Sequence, residues 1–329
     1  MLRIFLRLSL LAVLLTSCSA PTASSASNEM DTPIPATMTP APPPFRIVAY
    51  ATEGIIESLI PYDKLTHINY AFLTPKDDGT FNPINNDWKL NLIVQNAHTH
   101  NVKVLISVGG WGWDKQFETV AANPAARSVF VQNLKAFVDK YQLDGTDIDW
   151  EYPAPGQSSQ NFLALIKELH DAMPAKLLTA AVVSYGDDNG AGVPNEAFTL
   201  FDFVNVMTYD GPDHGTMEQF NHGLSYWSQR GLPKEKIVMG LPFYSHAKNA
   251  PAAEGIPYSK LIKADPAAAQ TDTFAYAGGP QIYNGIPTIQ AKTKLAMEQA
   301  SGVMFLNLDQ DAPGDLSLVN AIYQVVDTP

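Results

Sequence analysis

The chain has 329 residues, a formal net charge of −12, 46% hydrophobic residues and a single cysteine. Such acidity excludes a nucleic-acid binder, whose affinity rests on neutralising phosphates with Lys and Arg. One cysteine excludes an intrachain disulfide framework and a cysteine-based metal site.

Residues 1–17 carry Arg3 and Arg7 and then an apolar run from Leu8 to Leu15, too short to span a bilayer. This reads as a secretory signal. It ends Leu15-Thr16-Ser17-Cys18, which is similar to a bacterial lipobox, in which the cysteine is lipidated and becomes the mature N-terminus. Cys18 is therefore a lipidation candidate. It points to an exported protein anchored to the membrane by lipid at the bacterial cell surface or envelope, with extracellular release as the alternative. Loss of the signal brings the net charge to −14. Residues 18–44 are rich in Ser, Thr, Ala and Pro without apolar periodicity, the composition of a tether. The folded body is expected over residues 45–329, as a monomer.

Short apolar runs recur along this body at Arg46–Tyr50, Thr66–Leu73, Lys103–Val108, Gly145–Trp150, Leu177–Val183, Phe203–Thr208, Lys236–Leu241 and Gly302–Leu308. Between them, amphipathic patterns predict helices over Asp87–Ala97, Pro124–Tyr141, Ser159–Ala172, Met217–Arg230, Ile289–Ala300 and Leu316–Val326. Asn123-Pro124 supplies a cap followed by proline in the first turn. Strands alternating with helices in this length favour an α/β fold, a (β/α)8 TIM barrel, over an open doubly wound sheet. The stretch from Ser245 to Pro287 is long for a loop.

The fourth run is the most informative. Asp144, Asp147, Asp149 and Glu151 stand at offsets 0, 3, 5 and 7, with Ile148 and Trp150 interleaved. Period-two alternation puts Asp147, Asp149 and Glu151 on one strand face, about 6–7 Å apart. Acids that close cannot all ionise freely, so at least one pKa is raised and the group titrates as a unit. A carboxylic acid kept protonated near neutral pH can serve as a general acid. A calcium loop would need irregular backbone, a central Gly and a distal Glu. A structural acidic strand end stays open at this level.

Active sites of such barrels lie at the C-terminal ends of the strands. Besides the acids, Trp111, Tyr209, Asp210 and Tyr244 fall there. Acids ringed by aromatics suit a sugar, whose apolar faces stack while its hydroxyls take polar partners. His98 and His100 lie two apart on a helical pattern, share no face and are read as surface residues.

Asp144-Gly145-Thr146-Asp147-Ile148-Asp149-Trp150-Glu151 resembles the DGxDxDxE signature of glycoside hydrolase family 18, the chitinases and their relatives. Ser107-Val108-Gly109-Gly110-Trp111, Met207-Thr208-Tyr209-Asp210 and Gly240-Leu241-Pro242-Phe243-Tyr244 are similar to three further strands of that family, and Tyr70-Ala71-Phe72 fits its second. The resemblance implies a retaining mechanism in which the substrate's N-acetyl group is the nucleophile. It implies Glu151 as general acid and base, and Asp149 orienting the acetamido group and stabilising the oxazolinium. Asp147 would set the state of Asp149, and Asp144 would support the strand. Tyr209 would bond the acetamido carbonyl, with Asp210, Met207, Trp111, Tyr244, Tyr50 and Phe72 around the sugar. The resemblance implies neither metal nor other cofactor.

Two positions depart from the pattern. Leu306 stands where these chitinases usually carry a tryptophan beneath the cleaved sugar, and Ser245-His246 follows Tyr244 where a Gly is more usual. Family members with deep clefts insert an α+β domain after the seventh strand. The stretch here is too short for a full one, so a short or reduced insertion and an open cleft are expected. The implied substrate is β-1,4-linked N-acetylglucosamine, as chitin or its oligomers. The alternatives are an endo-β-N-acetylglucosaminidase or peptidoglycan-glycan hydrolase on the same barrel, and a catalytically silent chitin-binding lectin.

Overall fold

The computed structural model describes residues 44–186, 189–248 and 255–328. The expected signal peptide, Cys18 and all but the last residue of the tether lie outside the described residues. Eight parallel strands close a barrel: β1 (Arg46–Thr52), β2 (His67–Leu73), β3 (Lys103–Gly109), β4 (Gly145–Asp149), β5 (Leu177–Val183), β6 (Phe203–Met207), β7 (Ile237–Pro242) and β12 (Gly302–Leu306). The predicted (β/α)8 TIM barrel is the observed fold. Around it pack α1 (Asp87–Thr99), α2 (Asp114–Ala122), α3 (Pro124–Lys140), α4 (Gln157–Ala172), α5 (Met217–Gln229), α7 (Ile286–Gln299) and α8 (Leu318–Val326). Asn123 caps α3, its side chain accepting from the amides of Ala125 and Ala126 at 3.0 and 3.4 Å.

The stretch after β7 is more ordered than a loop. It holds β8 (Tyr244–Ala247), β9 (Ile256–Pro257), α6 (Tyr258–Ala264), β10 (Thr273–Tyr276) and β11 (Gly279–Ile282), and its four strands form a small antiparallel sheet. The short insertion is thus present, and α7 begins within the segment assigned to the loop. Helix α2 escaped prediction, although Phe117, Val120 and Ala121 give it a buried face at helical spacing.

The strands alternate between two apolar layers. Ile47, Ala49, Ile106 and Ile148 belong to the large core shared with the helices, while Val48, Phe203, Val238 and Met304 form a second cluster inside the barrel. On β4 this parity sends Ile148 outward and Asp147 and Asp149 inward. Two glycines permit the close approaches around β4. A Cβ on Gly145 would lie 2.1 Å from the Leu177 carbonyl oxygen, and one on Gly109 would lie 2.3 Å from that of Asp149. Gly109 also sits at φ +110°, where side chains are disfavoured. Strand β4 ends at Asp149, two residues earlier than the alternation of acids suggests, so Glu151 projects from the turn beyond it.

Candidate active site

Asp147 is fully buried at the barrel centre and accepts four hydrogen bonds. Tyr50 Oη and Ser107 Oγ donate to Oδ2 at 2.7 and 2.8 Å, and Thr179 Oγ1 and Asn205 Nδ2 donate to Oδ1 at 2.6 and 3.2 Å. The donors come from β1, β3, β5 and β6. Burial pushes the pKa of Asp147 up, and the donors oppose that rise. Of these four donors, Tyr50 and Ser107 were singled out by the sequence. Thr179 and Asn205 had a signal of their own, as single polar residues inside otherwise apolar strands.

One layer nearer the mouth, Asp149 is buried and its Oδ1 has no hydrogen-bond partner. Burial first, then the charges of Glu151 and Asp147, hold its pKa well above the usual carboxylate range. Glu151 is pushed up to about 7, chiefly by burial; the Tyr152 hydroxyl opposes the rise and the charge of Asp210 adds to it. All three pKa values are thus raised, with burial the largest cause in each; the charges of the neighbouring acids Glu151 and Asp147 add to it at Asp149.

A cavity of about 160 Å³ opens over them, lined by Tyr50, Phe72, Trp111, Asp149, Glu151, Met207, Tyr209, Asp210 and Leu306. Larger hollows lie between α7 and α8 and beside the ends of β1 and β12, but neither includes the acids of β4. Every sequence-derived site residue of the body reaches this cavity except Asp147, which lies beneath it, and Tyr244, which stands behind Asp210. Trp111 is 79% exposed and forms an open lip. Trp150 instead faces outward, stacked on Phe117 of α2 at 5.2 Å, and serves packing.

Asp210 forms the far wall. Its Oδ1 accepts from Tyr244 Oη at 2.6 Å and from His246 Nε2 at 2.8 Å. Burial acts to raise its pKa, but the hydrogen bonds from His246 and Tyr244 outweigh that and hold it well below the usual range. The donor atoms of Asp210, His214 and His246 lie within 4.8 Å of one another, close enough to share an ion. His214 is already committed, however. Its Nδ1 accepts the Asp210 amide at 3.0 Å and its Nε2 donates to the Tyr244 carbonyl at 3.2 Å, so the trio does not offer three free ligands.

Asp144 lies at the opposite, N-terminal end of β4. It accepts from the Val104 amide at 2.9 Å, Lys103 at 2.9 Å and His98 Nε2 at 2.8 Å, and so ties β3 to β4. His98 is on the surface as expected, but it has this structural partner.

Residues 46–311 match the family described as glycosyl hydrolases family 18. The chain belongs to that family.

Among solved structures, this family 18 barrel is similar to a chitinase from Bacteroides thetaiotaomicron, at 32% identity and a TM-score of 0.77 over 86% of this chain and 97% of that one. It is also similar to the family 18 chitinase ChiB of Flavobacterium johnsoniae, at 28% identity and a TM-score of 0.73 over 86% and 94% of the two chains. A probable endochitinase of Caenorhabditis elegans is 34% identical over 221 residues, which is 54% of this chain and 36% of that protein. The chain spans between 36% and 60% of the length of the first curated relatives it matches.

The raised pKa of Glu151 has a consequence for stability that does not depend on turnover. The folded protein retains the Glu151 proton up to about pH 7, whereas the unfolded chain releases it near 4.5. Its contribution is therefore full below 4.5 and is lost as pH rises to 7. Glu151→Gln, which does not titrate, should gain stability relative to the wild type between pH 5 and 7.5, by roughly 2 kcal/mol. Urea unfolding of both proteins at the two pH values measures this, and a pH-independent difference would contradict it.

Proposed function

We propose that this family 18 barrel hydrolyses β-1,4-linked N-acetylglucosamine chains, chitin or its oligomers, by retaining, substrate-assisted catalysis. The observation that carries the reading is the unpartnered, buried Oδ1 of Asp149, in a residue that lines the cavity beside a carboxyl titrating at about 7. An acetamido N–H is the donor this oxygen lacks, and Glu151 is the acid a glycosidic oxygen needs.

In the first step the Glu151 proton passes to the glycosidic oxygen as its bond to C1 breaks. The carbonyl oxygen of the substrate's own acetamido group bonds to C1 from the other face, giving a cyclic oxazolinium with positive charge shared onto nitrogen. Asp149 takes the N–H and faces that charge, while Tyr209 holds the acetamido group in place. Water then loses a proton to the Glu151 carboxylate and adds to C1 as the ring opens. Two displacements leave the configuration at C1 unchanged, and Glu151 ends protonated as it began.

A second reading keeps this chemistry and changes the substrate to an N-glycan core or a peptidoglycan-derived glycan. Leu306 favours it, because a half-buried leucine at the cavity edge offers no π-face beneath the sugar. Glu151 and its raised pKa weigh against a silent lectin. Wild type and Glu151→Gln should be assayed on chitotetraose and on a high-mannose glycopeptide. The first reading predicts wild-type turnover of chitotetraose, a loss of at least about 10²-fold in the variant and retained sugar binding. A variant keeping more than about one per cent of activity would remove Glu151 from its role, and preferred cleavage of the glycopeptide would favour the second substrate.

The enzyme is further proposed to work outside the cytoplasm, lipid-anchored through Cys18. Detergent-phase partitioning tests this: the wild type should enter the detergent phase and Cys18→Ser should not. Stable anchoring requires more than one acyl chain, so a wild type found wholly in the aqueous phase with an unmodified N-terminus would refute the anchor.

A further inference from the structure

Asp210 has a positive φ of +63°, a conformation uncommon for a residue with a side chain. Such a conformation persists only where its surroundings over-determine it, and the amide, the carbonyl and one carboxylate oxygen of Asp210 are in fact held. The amide donates to His214 Nδ1, and the carboxylate takes Tyr244 and His246. The carbonyl accepts from Gln219 Nε2 at 2.9 Å, and the same nitrogen donates to the carbonyl of Tyr209 at 3.1 Å.

Gln219 lies in the first turn of α5 and is 4% exposed. Its Oε1 accepts the Gly215 amide at 3.0 Å, which fixes the orientation of the side-chain amide, since the reverse would set oxygen against two carbonyls. Gly215 is held in turn. Its carbonyl accepts from Asn284 Nδ2 at 2.7 Å and from the buried Lys292 Nζ at 2.6 Å, and Lys292 also donates to Asn284 Oδ1 at 2.8 Å. A buried polar chain therefore runs from α7 and the end of the small insertion, through Gly215 and Gln219, to the two consecutive carbonyls behind the cavity wall.

We infer that Gln219 is a positioning residue: by gripping the Tyr209 and Asp210 carbonyls it holds both side chains against the reacting sugar. The inference rests on the proposed glycosidase reading for its catalytic consequence only. The titrating groups around Asp210 are Glu151 and Tyr152 beyond β4, Tyr209 beyond β6, His214 before α5, and Tyr244 and His246 on β8. Of these, Glu151 feels the Asp210 charge as an upward push. If Asp210 swings away, that push weakens and Glu151 loses its proton at lower pH.

Gln219→Leu keeps the bulk and deletes the three hydrogen bonds; Gln219→Asn keeps an amide on a shorter arm and serves if the first variant does not fold. Two measurements are made on each. A crystal structure should show Asp210 out of its left-handed conformation or parted from Tyr244. On chitotetraose, kcat/KM should fall by about 10- to 100-fold, mostly in kcat, the scale of misplacing reacting groups, and its alkaline limb should move to lower pH. A purely structural residue would lower the melting temperature without moving that limb. The inference is overturned if Asp210 stays in place, or if it moves while kcat/KM and the alkaline limb stay at wild-type values. A wild type inactive on every N-acetylglucosamine substrate would sink the glycosidase reading instead, and the crystal structure would still decide what Gln219 holds.

Discussion

A carboxylate buried at the centre of a barrel, with no cation beside it, is the constraint around which this structure is arranged. Removing an ion from water is costly unless its lone pairs are satisfied. Asp147 is satisfied by four neutral donors from four different strands, so one side chain links β1, β3, β5 and β6 to β4 across the interior. Its charge then acts on the next acid up the strand. Burial first, then the charges of Glu151 and Asp147, hold the pKa of Asp149 well above the usual carboxylate range, and burial pushes Glu151 up to about 7.

The opposite wall does the reverse. Asp210 sits within reach of Glu151, yet Tyr244 and His246 hold its pKa down. One cavity thus contains acids pushed up and an acid pushed down, a separation that assigns proton donor and permanent anion to different residues. The insertion takes part in this, because β8 carries Tyr244 and His246. A segment too short to build a deep cleft contributes two of the hydrogen bonds that fix the wall. Buried polar groups are costly without a partner, and of the buried oxygens left without one, which include Asn205 Oδ1, that of Asp149 belongs to a residue lining the cavity.

Much of this was readable in the chain, for identifiable reasons. Strands buried on both faces appear as short apolar runs, and Leu177–Val183 was located to the residue because seven apolar or small residues stand between clear breaks. The acids of β4 were legible because alternation with Ile148 and Trp150 is a backbone property. Alternation does not say where a strand ends, and Glu151 proved to follow β4 rather than belong to it. Helix α2 was passed over because it is short and abuts α3 with only Asn123 between. His214, Gln219 and Lys292 were not foreseen, since their roles arise from loops and helices brought together only by barrel closure. His246 was noticed as a departure, but its bond to Asp210 required the insertion's sheet to be seen.

Leu306 gives the cavity a small apolar edge without a π-face. The cavity over the acids is small, about 160 Å³, and the exposed Trp111 forms its lip. In the proposed mechanism, orientation of the acetamido group falls mainly to Asp149 and Tyr209, and two displacements at C1 retain its configuration. Proton NMR of the anomer first released from chitotetraose tests this most directly. Substrate-assisted catalysis predicts the β-anomer as the initial product, followed by slow mutarotation; initial release of the α-anomer would contradict the account.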